Sequence, residues 1–179
     1  MSAKRITRLV SAAVLALTLP AAAHAQYENG YPERVVDLAG PRFGFTLLSN
    51  GITARLKKDH DISIAPFITQ FGWQMEKQFQ SRGSDVAALT ELVLLVGGME
   101  QNVALPSVSW IIGARTKSGF EFGVGPNLTP LSTAIVYVAG MTYRTGALNV
   151  PLNVSVVPSV NGVRVSMITG FNMEMFRNW

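Results

Sequence analysis

The chain contains no cysteine, which excludes a disulfide framework, a thiol nucleophile and a thiolate metal site. Aspartate stops at Asp85. From Val86 to Trp179 the charged residues are Glu91, Glu100, Arg115, Lys117, Glu121, Arg144, Arg164, Glu174 and Arg177, nine in 94 residues. An ordinary water-soluble domain is about 25% charged, so much of this surface is expected to face something other than water. No HExxH, CxxC, EF-hand or Walker sequence occurs, which leaves no motif-borne site for a metal or a nucleotide. Beyond residue 25 a single histidine remains, His60, set between Asp59 and Asp61 with Ser63 nearby. Neighbours along a loop do not make a nucleophile, a base and an oxyanion hole. No catalytic residue, cofactor or metal ligand is therefore assigned, and His60 is expected to be an exposed loop residue.

What is present begins with an export signal. Lys4, Arg5 and Arg8 precede a short apolar run that ends in Ala23-His24-Ala25. That order is a basic region, a hydrophobic core and a small-residue cleavage site. Residues 1–25 are read as a cleaved signal peptide, residues 26–41 as an extended N-terminal segment, and residues 42–179 as one β-domain. Cleavage removes three cations, leaving 12 Lys and Arg against 11 acids, so the formal charge falls from +4 to +1. The basicity of the precursor belongs to the signal and gives no support to nucleic-acid binding.

The remaining sequence repeats one pattern. In PFITQFGWQMEKQF, Phe67, Phe71, Trp73, Met75 and Phe79 share one parity, and Gln70, Gly72, Gln74, Glu76 and Gln78 share the other. A period of two over this length predicts a strand with one apolar and one polar face. The same pattern returns around Trp110, Phe122, Tyr137, Val154 and Val165. Turn signals at Lys117-Ser118-Gly119, Thr145-Gly146 and Asn161-Gly162 separate the runs. Eight strands are expected, near 42–48, 66–79, 88–96, 107–116, 120–125, 133–144, 147–157 and 162–175. Ile52 and Leu56, four apart beside Lys57 and Lys58, predict a short amphipathic helix in the first long loop. Pro66, Pro106, Pro126, Pro130 and Pro158 are expected at or beyond strand ends. Pro151 falls inside the seventh strand and is expected to force a bulge or a later start.

The polar faces decide between two arrangements. In a soluble sandwich they would meet water and carry many Lys, Glu and Asp. Here they carry Gln, Ser, Asn and Gly, with isolated charges of both signs. A transmembrane barrel turns the apolar faces toward lipid and encloses the polar ones. For eight strands the interior is narrow and expected to be filled by side chains rather than open as a pore. The expected interior polar network comprises Glu76, Glu91, Arg115, Glu121, Arg144, Arg164 and Glu174. Arg164 would point inward toward one or more glutamates, and parity does not single one out. Glu121 and Arg115 face the same interior across a short hairpin, where a structural ion pair is expected. The glycines of FGVGP would relieve crowding on the inner wall. Trp73, Trp110, Tyr137 and Tyr143 lie on the apolar faces and are candidates for lipid-interface aromatics.

The export signal, the eight alternating strands and the aromatic C-terminus resemble small bacterial outer-membrane β-barrel proteins. The resemblance spans the whole chain after the signal, and it implies an all-β, eight-stranded antiparallel transmembrane barrel in the bacterial outer membrane. It also implies outer-membrane lipid and the export and barrel-assembly machineries as partners. Trp179 fits the C-terminal aromatic that serves such proteins as an assembly signal, while Arg177 departs from an alternating apolar ending. The role implied is structural, adhesive or small-molecule interaction, with no ligand identified. Two alternatives stand beside it. One is a soluble periplasmic, lipocalin-like binder whose apolar faces line a cavity. The other is an outer-membrane lipid-modifying enzyme built around His60.

Overall fold

A computed structural model describes residues 34–81, 83–130, 132–145 and 148–175. The cleavage site, Tyr27, Tyr31, Phe176, Arg177 and Trp179 lie outside the described residues. The chain forms β1 (Arg34–Leu48), α1 (Asn50–His60), β2 (Phe67–Gln80), β3 (Val86–Gly97), a 3-10 turn (Met99–Gln101), β4 (Leu105–Thr116) and β5 (Phe120–Thr129). It continues through β6 (Ser132–Thr145), β7 (Leu148–Ser159), β8 (Gly162–Gly170) and β9 (Asn172–Glu174). From β1 to β8 each strand pairs antiparallel with the next, β1 also pairs with β8, and β9 pairs with β1 and β7. The sheet is thus a closed eight-stranded antiparallel barrel in which β9 continues β8.

Closure fixes the tilt. The ladder path from Asp37 runs through Lys77, Thr90, Ile112, Val124, Tyr137, Val156 and Val165. It re-enters β1 at Leu47, ten residues further on. A stagger of this size on eight strands corresponds to a tilt of about 40–45°. Strands of 12–15 residues, such as β1, β2, β3 and β6, then rise far enough to cross the ~25 Å apolar band of an outer membrane.

The first strand begins at Arg34, eight residues before the expected start, and pairs with β2 from Arg34 opposite Gln80. Residues 34–41 therefore belong to the barrel and not to a separate extended segment. Gly40-Pro41 concealed their alternation in the sequence.

Proline sets the irregularities of the sheet. Pro151 produces neither a bulge nor a late start, because β7 runs through it in register with Thr142 of β6. The interruption falls on the neighbouring strand instead. Phe171 divides β8 from β9 where Pro41 on one side and Pro151 on the other can donate no ladder hydrogen bond. Side chains supply donors at the break: Arg42 Nη1 donates to Phe171 O, opposite Pro41, at 3.4 Å, and Thr169 Oγ1 donates to Pro151 O at 2.9 Å. Pro126 likewise lies within β5, opposite Ile135 of β6, and the β4–β5 ladder lapses beside it.

The two faces are sorted as a membrane barrel requires. Phe43, Phe71, Trp73, Trp110, Ile112, Phe122, Tyr137 and Val154 all point outward and are exposed. This sidedness contradicts the lipocalin-like alternative, which needs those faces turned inward. Among the described strand residues, the charges on the outer wall are Asp37 and Lys77. They pair with each other at 3.4 Å near the end of the barrel where β1 begins and β9 ends.

At the opposite end α1 lies across the barrel mouth. Its buried Leu56 anchors it, and Ser49 ties its start to β8, donating Ser49 N–H to Val163 O and accepting Val163 N–H on Oγ, both at 3.1 Å. Gly162 makes that junction possible. Its φ is +132°, and a Cβ there would stand 1.8 Å from Ser49 Oγ.

Candidate functional site

The lumen divides into a polar lower half, toward the start of β1, and a partly apolar upper half beneath α1. The polar half centres on Arg115, which β4 places opposite Glu121 of β5. The guanidinium donates from Nε to Glu121 Oε2 at 2.5 Å, from Nη2 to Glu76 Oε2 at 2.9 Å, and from Nη1 to Glu76 Oε1. Glu91 Oε1 lies 3.8 Å from Nη2, so a third carboxylate stands within ion-pair range. Thr142 Oγ1 donates to Glu121 Oε2 at 3.0 Å. Asn172 Nδ2 donates to Glu76 Oε2 at 3.4 Å, and its Oδ1 accepts from Arg42 Nη2 at 2.7 Å. Arg42 Nε reaches Gln74 Oε1 at 2.9 Å. A single chain of charge-assisted hydrogen bonds thus crosses the lumen and joins β1, β2, β4, β5, β6 and β9.

This arrangement is a plug. Arg42, Arg115, Glu76, Glu91 and Glu121 are all buried, and bidentate pairing makes them costly to separate. Glu121 Oε1 and Asn153 Oδ1 lack a hydrogen-bond partner among the described residues. Both residues line one small void of about 10 Å³, room for a single water. No group of three His, Cys, Asp or Glu side chains among the described residues is arranged to hold a metal ion.

Of the seven residues expected in the interior network, the structure brings together Glu76, Glu91, Arg115 and Glu121. Arg164 faces the lumen much higher up and donates from Nη2 to Asn127 Oδ1 at 2.8 Å. Its partner is an amide rather than the expected glutamate, because the stagger of the strands carries β8 and β5 past the level of the carboxylates. Arg144 and Glu174 have the inward parity but sit at the rim, where both are exposed, and Glu174 pairs with Arg34 at 3.4 Å. Sequence reasoning missed Arg42, Gln74, Asn127 and Asn172. The signal for Arg42 was available, since it shares the parity of Thr46 and opposes Phe43, Phe45 and Leu47.

The four candidate interface aromatics do not form a belt. Trp73, Trp110 and Tyr137 occupy the middles of β2, β4 and β6, while Tyr143 lies two residues from the end of β6. Trp110 tolerates the mid-wall position because its Nε1 donates to Thr90 Oγ1 on the neighbouring strand at 2.8 Å. His60 ends α1, exposed, and the structure gives it no acid or hydroxyl partner among the described residues. The inner-wall glycines do relieve crowding at Gly123, where a Cβ would stand 2.5 Å from Ile111 Cγ2.

The upper half holds a cavity of about 130 Å³. Its apolar wall is the buried cluster Val93, Leu95, Ile111, Val136 and Val157, with Ala134, Val138 and Ile168 packed against it. Filling of the lumen by side chains, expected throughout, therefore holds only below Arg42. Above it the inward residues of β4, β6 and β7 include serines, valines and alanine, too small to meet across the barrel.

The 3-10 turn braces this end from outside. Glu100 accepts Thr69 Oγ1–H on Oε2 at 2.5 Å and Thr69 N–H on Oε1 at 3.0 Å. Gln101 Nε2 donates to Phe67 O at 2.7 Å, and its Oε1 accepts Ala65 N–H at 2.6 Å. The Thr69 hydroxyl bond chiefly lowers the Glu100 pKa from 4.5 to about 2.

No family model matches the chain, and no curated protein matches it. Among solved structures it is similar to the crystal structure of Ail, the attachment invasion locus protein of Yersinia pestis. The identity is 9%, the match covers 79% of this chain and 97% of that one, and the TM-score is 0.52. A de novo designed transmembrane β-barrel aligns at 11% identity over 80% of this chain and 99% of its own, with a TM-score of 0.46. At such identity the likeness to Ail is one of fold, that of an outer-membrane β-barrel.

Two outcomes follow from the geometry. Arg115→Leu strips the carboxylates of their cation and should destabilise the barrel by about 3–5 kcal/mol, read from urea midpoints of folded protein in detergent. Adding Glu76→Gln and Glu121→Gln should recover more than half of that loss. The Glu100 brace should respond to acid. Its folded pKa is depressed, so its stabilisation is complete above 4.5 and lost as pH falls toward about 2. Protection of the Thr69 amide, its exchange rate relative to the intrinsic rate at each pH, should fall across that window in the wild type, and in Glu100→Gln it should be low and flat.

Proposed function

We propose that this chain is a bacterial outer-membrane β-barrel with a plugged lumen, presenting its lidded end at the cell surface. Its role is structural, adhesive or one of small-molecule interaction, without conduction. The observation that carries the reading is the outer wall: apolar around the described circumference, with its two charges paired to each other at one rim. In water such a surface would drive association; in a bilayer it is the lipid face of a barrel. The charge network blocks the lower lumen and so speaks against a pore. Outer-membrane lipid is the immediate partner, and delivery by export and barrel-assembly machineries is part of the same proposal.

Ail is named for attachment and invasion. For this chain a contact role at the same end would rest on α1 and the Met99–Gln101 turn, both well braced. The lipid-modifying alternative has less support, because His60 lacks the neighbours that acid–base chemistry needs. Were it correct, His60→Ala would abolish the activity.

The deciding experiment expresses the protein with its signal peptide, fractionates membranes, and compares unheated with boiled samples on an SDS gel. The expected result is outer-membrane recovery that requires detergent, with a heat-sensitive mobility shift. Recovery as a soluble periplasmic protein without detergent would contradict the proposal.

A further inference from the structure

The cavity under α1 differs from the plug below it in what its polar groups lack. Around its wall several hydroxyls and amides satisfy one another, while Asn153 Oδ1 lacks a hydrogen-bond partner among the described residues. Thr46 Oγ1 lies 2.6 Å from both Gln70 Oε1 and Ser166 Oγ, and Asn127 Nδ2 donates to Ser109 Oγ at 2.8 Å. Two arginines also line it. Arg55 is paired with Asp59 at 3.0 Å. Arg164 has one hydrogen bond, to Asn127 Oδ1, and no carboxylate partner among the described residues. A guanidinium carries five N–H donors, so Arg164 keeps charge and donors to spare at the edge of an apolar chamber.

The dimensions restrict what could use them. A single water occupies about 10–15 Å³ of such a cavity, so about 130 Å³ holds roughly ten non-hydrogen atoms. The lower limit of the chamber is the carboxylate-bearing plug, with Glu91 on its floor, which disfavours an anionic group at that depth. An anion is favoured at the upper edge, beside Arg164, and an uncharged chain below it, against Val93, Ile111 and Val136.

We propose that this cavity is a binding site for a medium-chain carboxylate, an amphiphile of about ten non-hydrogen atoms such as octanoate. The carboxylate pairs with Arg164 beneath α1, and the acyl chain descends along the valine and isoleucine wall. The site lies inside the barrel and goes beyond the membrane role proposed above.

The test uses full-length barrel in phospholipid nanodiscs, with folding verified for each variant by the heat-dependent gel shift. Octanoate and octanol are titrated by calorimetry, with empty nanodiscs subtracted to remove partitioning into lipid. Saturable octanoate binding, at least tenfold tighter than octanol, is expected. Arg164→Gln should reduce octanoate to the octanol level, while Arg164→Lys should preserve the preference for the anion. Val136→Trp, which fills the chamber, should abolish binding of both. Equal affinity for octanoate and octanol, or octanoate binding unchanged in Arg164→Gln, would overturn the carboxylate assignment. Absence of saturable binding by a folded wild-type barrel would overturn the site itself. Failure of the membrane reading would show separately, as a soluble periplasmic protein without a gel shift.

Discussion

The structure depends on the neutralisation of Arg115 inside a narrow barrel. An eight-stranded wall leaves room for few side chains, and here it encloses three carboxylates, Glu76, Glu91 and Glu121, around one guanidinium. None of these charges could remain alone at that depth. Together they form a network that spans the lumen and couples strands distant in sequence. Through Asn172 it extends to Arg42, which in turn supplies the carbonyl of Phe171 with the donor that Pro41 lacks. The charge plug and the closing seam of the barrel are thus one connected structure.

With the charges gathered inside, the outer wall is free to be apolar. Its two charges, Asp37 and Lys77, neutralise each other at a rim, where a lysine stem can reach the interface. The lone polar edge of Trp110 is met by Thr90. Asp37, Lys77 and the Trp110 indole N–H therefore each have a partner within the wall, as a lipid environment favours. The upper lumen relaxes that rule, since small inward residues leave a chamber and Arg164 stays underused within it.

Much of this was legible from parity alone. Alternation through Gln70–Phe79, interrupted on the apolar side by Lys77, and through Leu148–Val156 announced strands, their faces and the barrel, and Ile52 with Leu56 announced α1. What failed were the features that alternation cannot carry. Gly40-Pro41 masked the first half of β1, Pro126 read as a strand end and Pro151 as a bulge or late start, although only one neighbouring ladder lapses beside each. Parity assigns Arg164, Arg144 and Glu174 to the inner face, but height in the barrel depends on the ten-residue stagger, which emerges only when the sheet closes. That stagger separates Arg164 from the glutamates and leaves Arg144 and Glu174 at the rim. It also sets Trp73 and Trp110 at mid-wall rather than in a belt.

The sidedness of the wall is the central claim, and tryptophan fluorescence in bilayers of brominated lipid tests it most directly. In a Trp179→Phe variant the emission comes from Trp73 and Trp110, which are 48% and 54% exposed on the outer wall. The account predicts strong quenching by bromine deep in the acyl chains, weaker quenching by bromine near the headgroups, and little by aqueous acrylamide. Efficient acrylamide quenching with no response to brominated lipid would place these faces out of the membrane and contradict it.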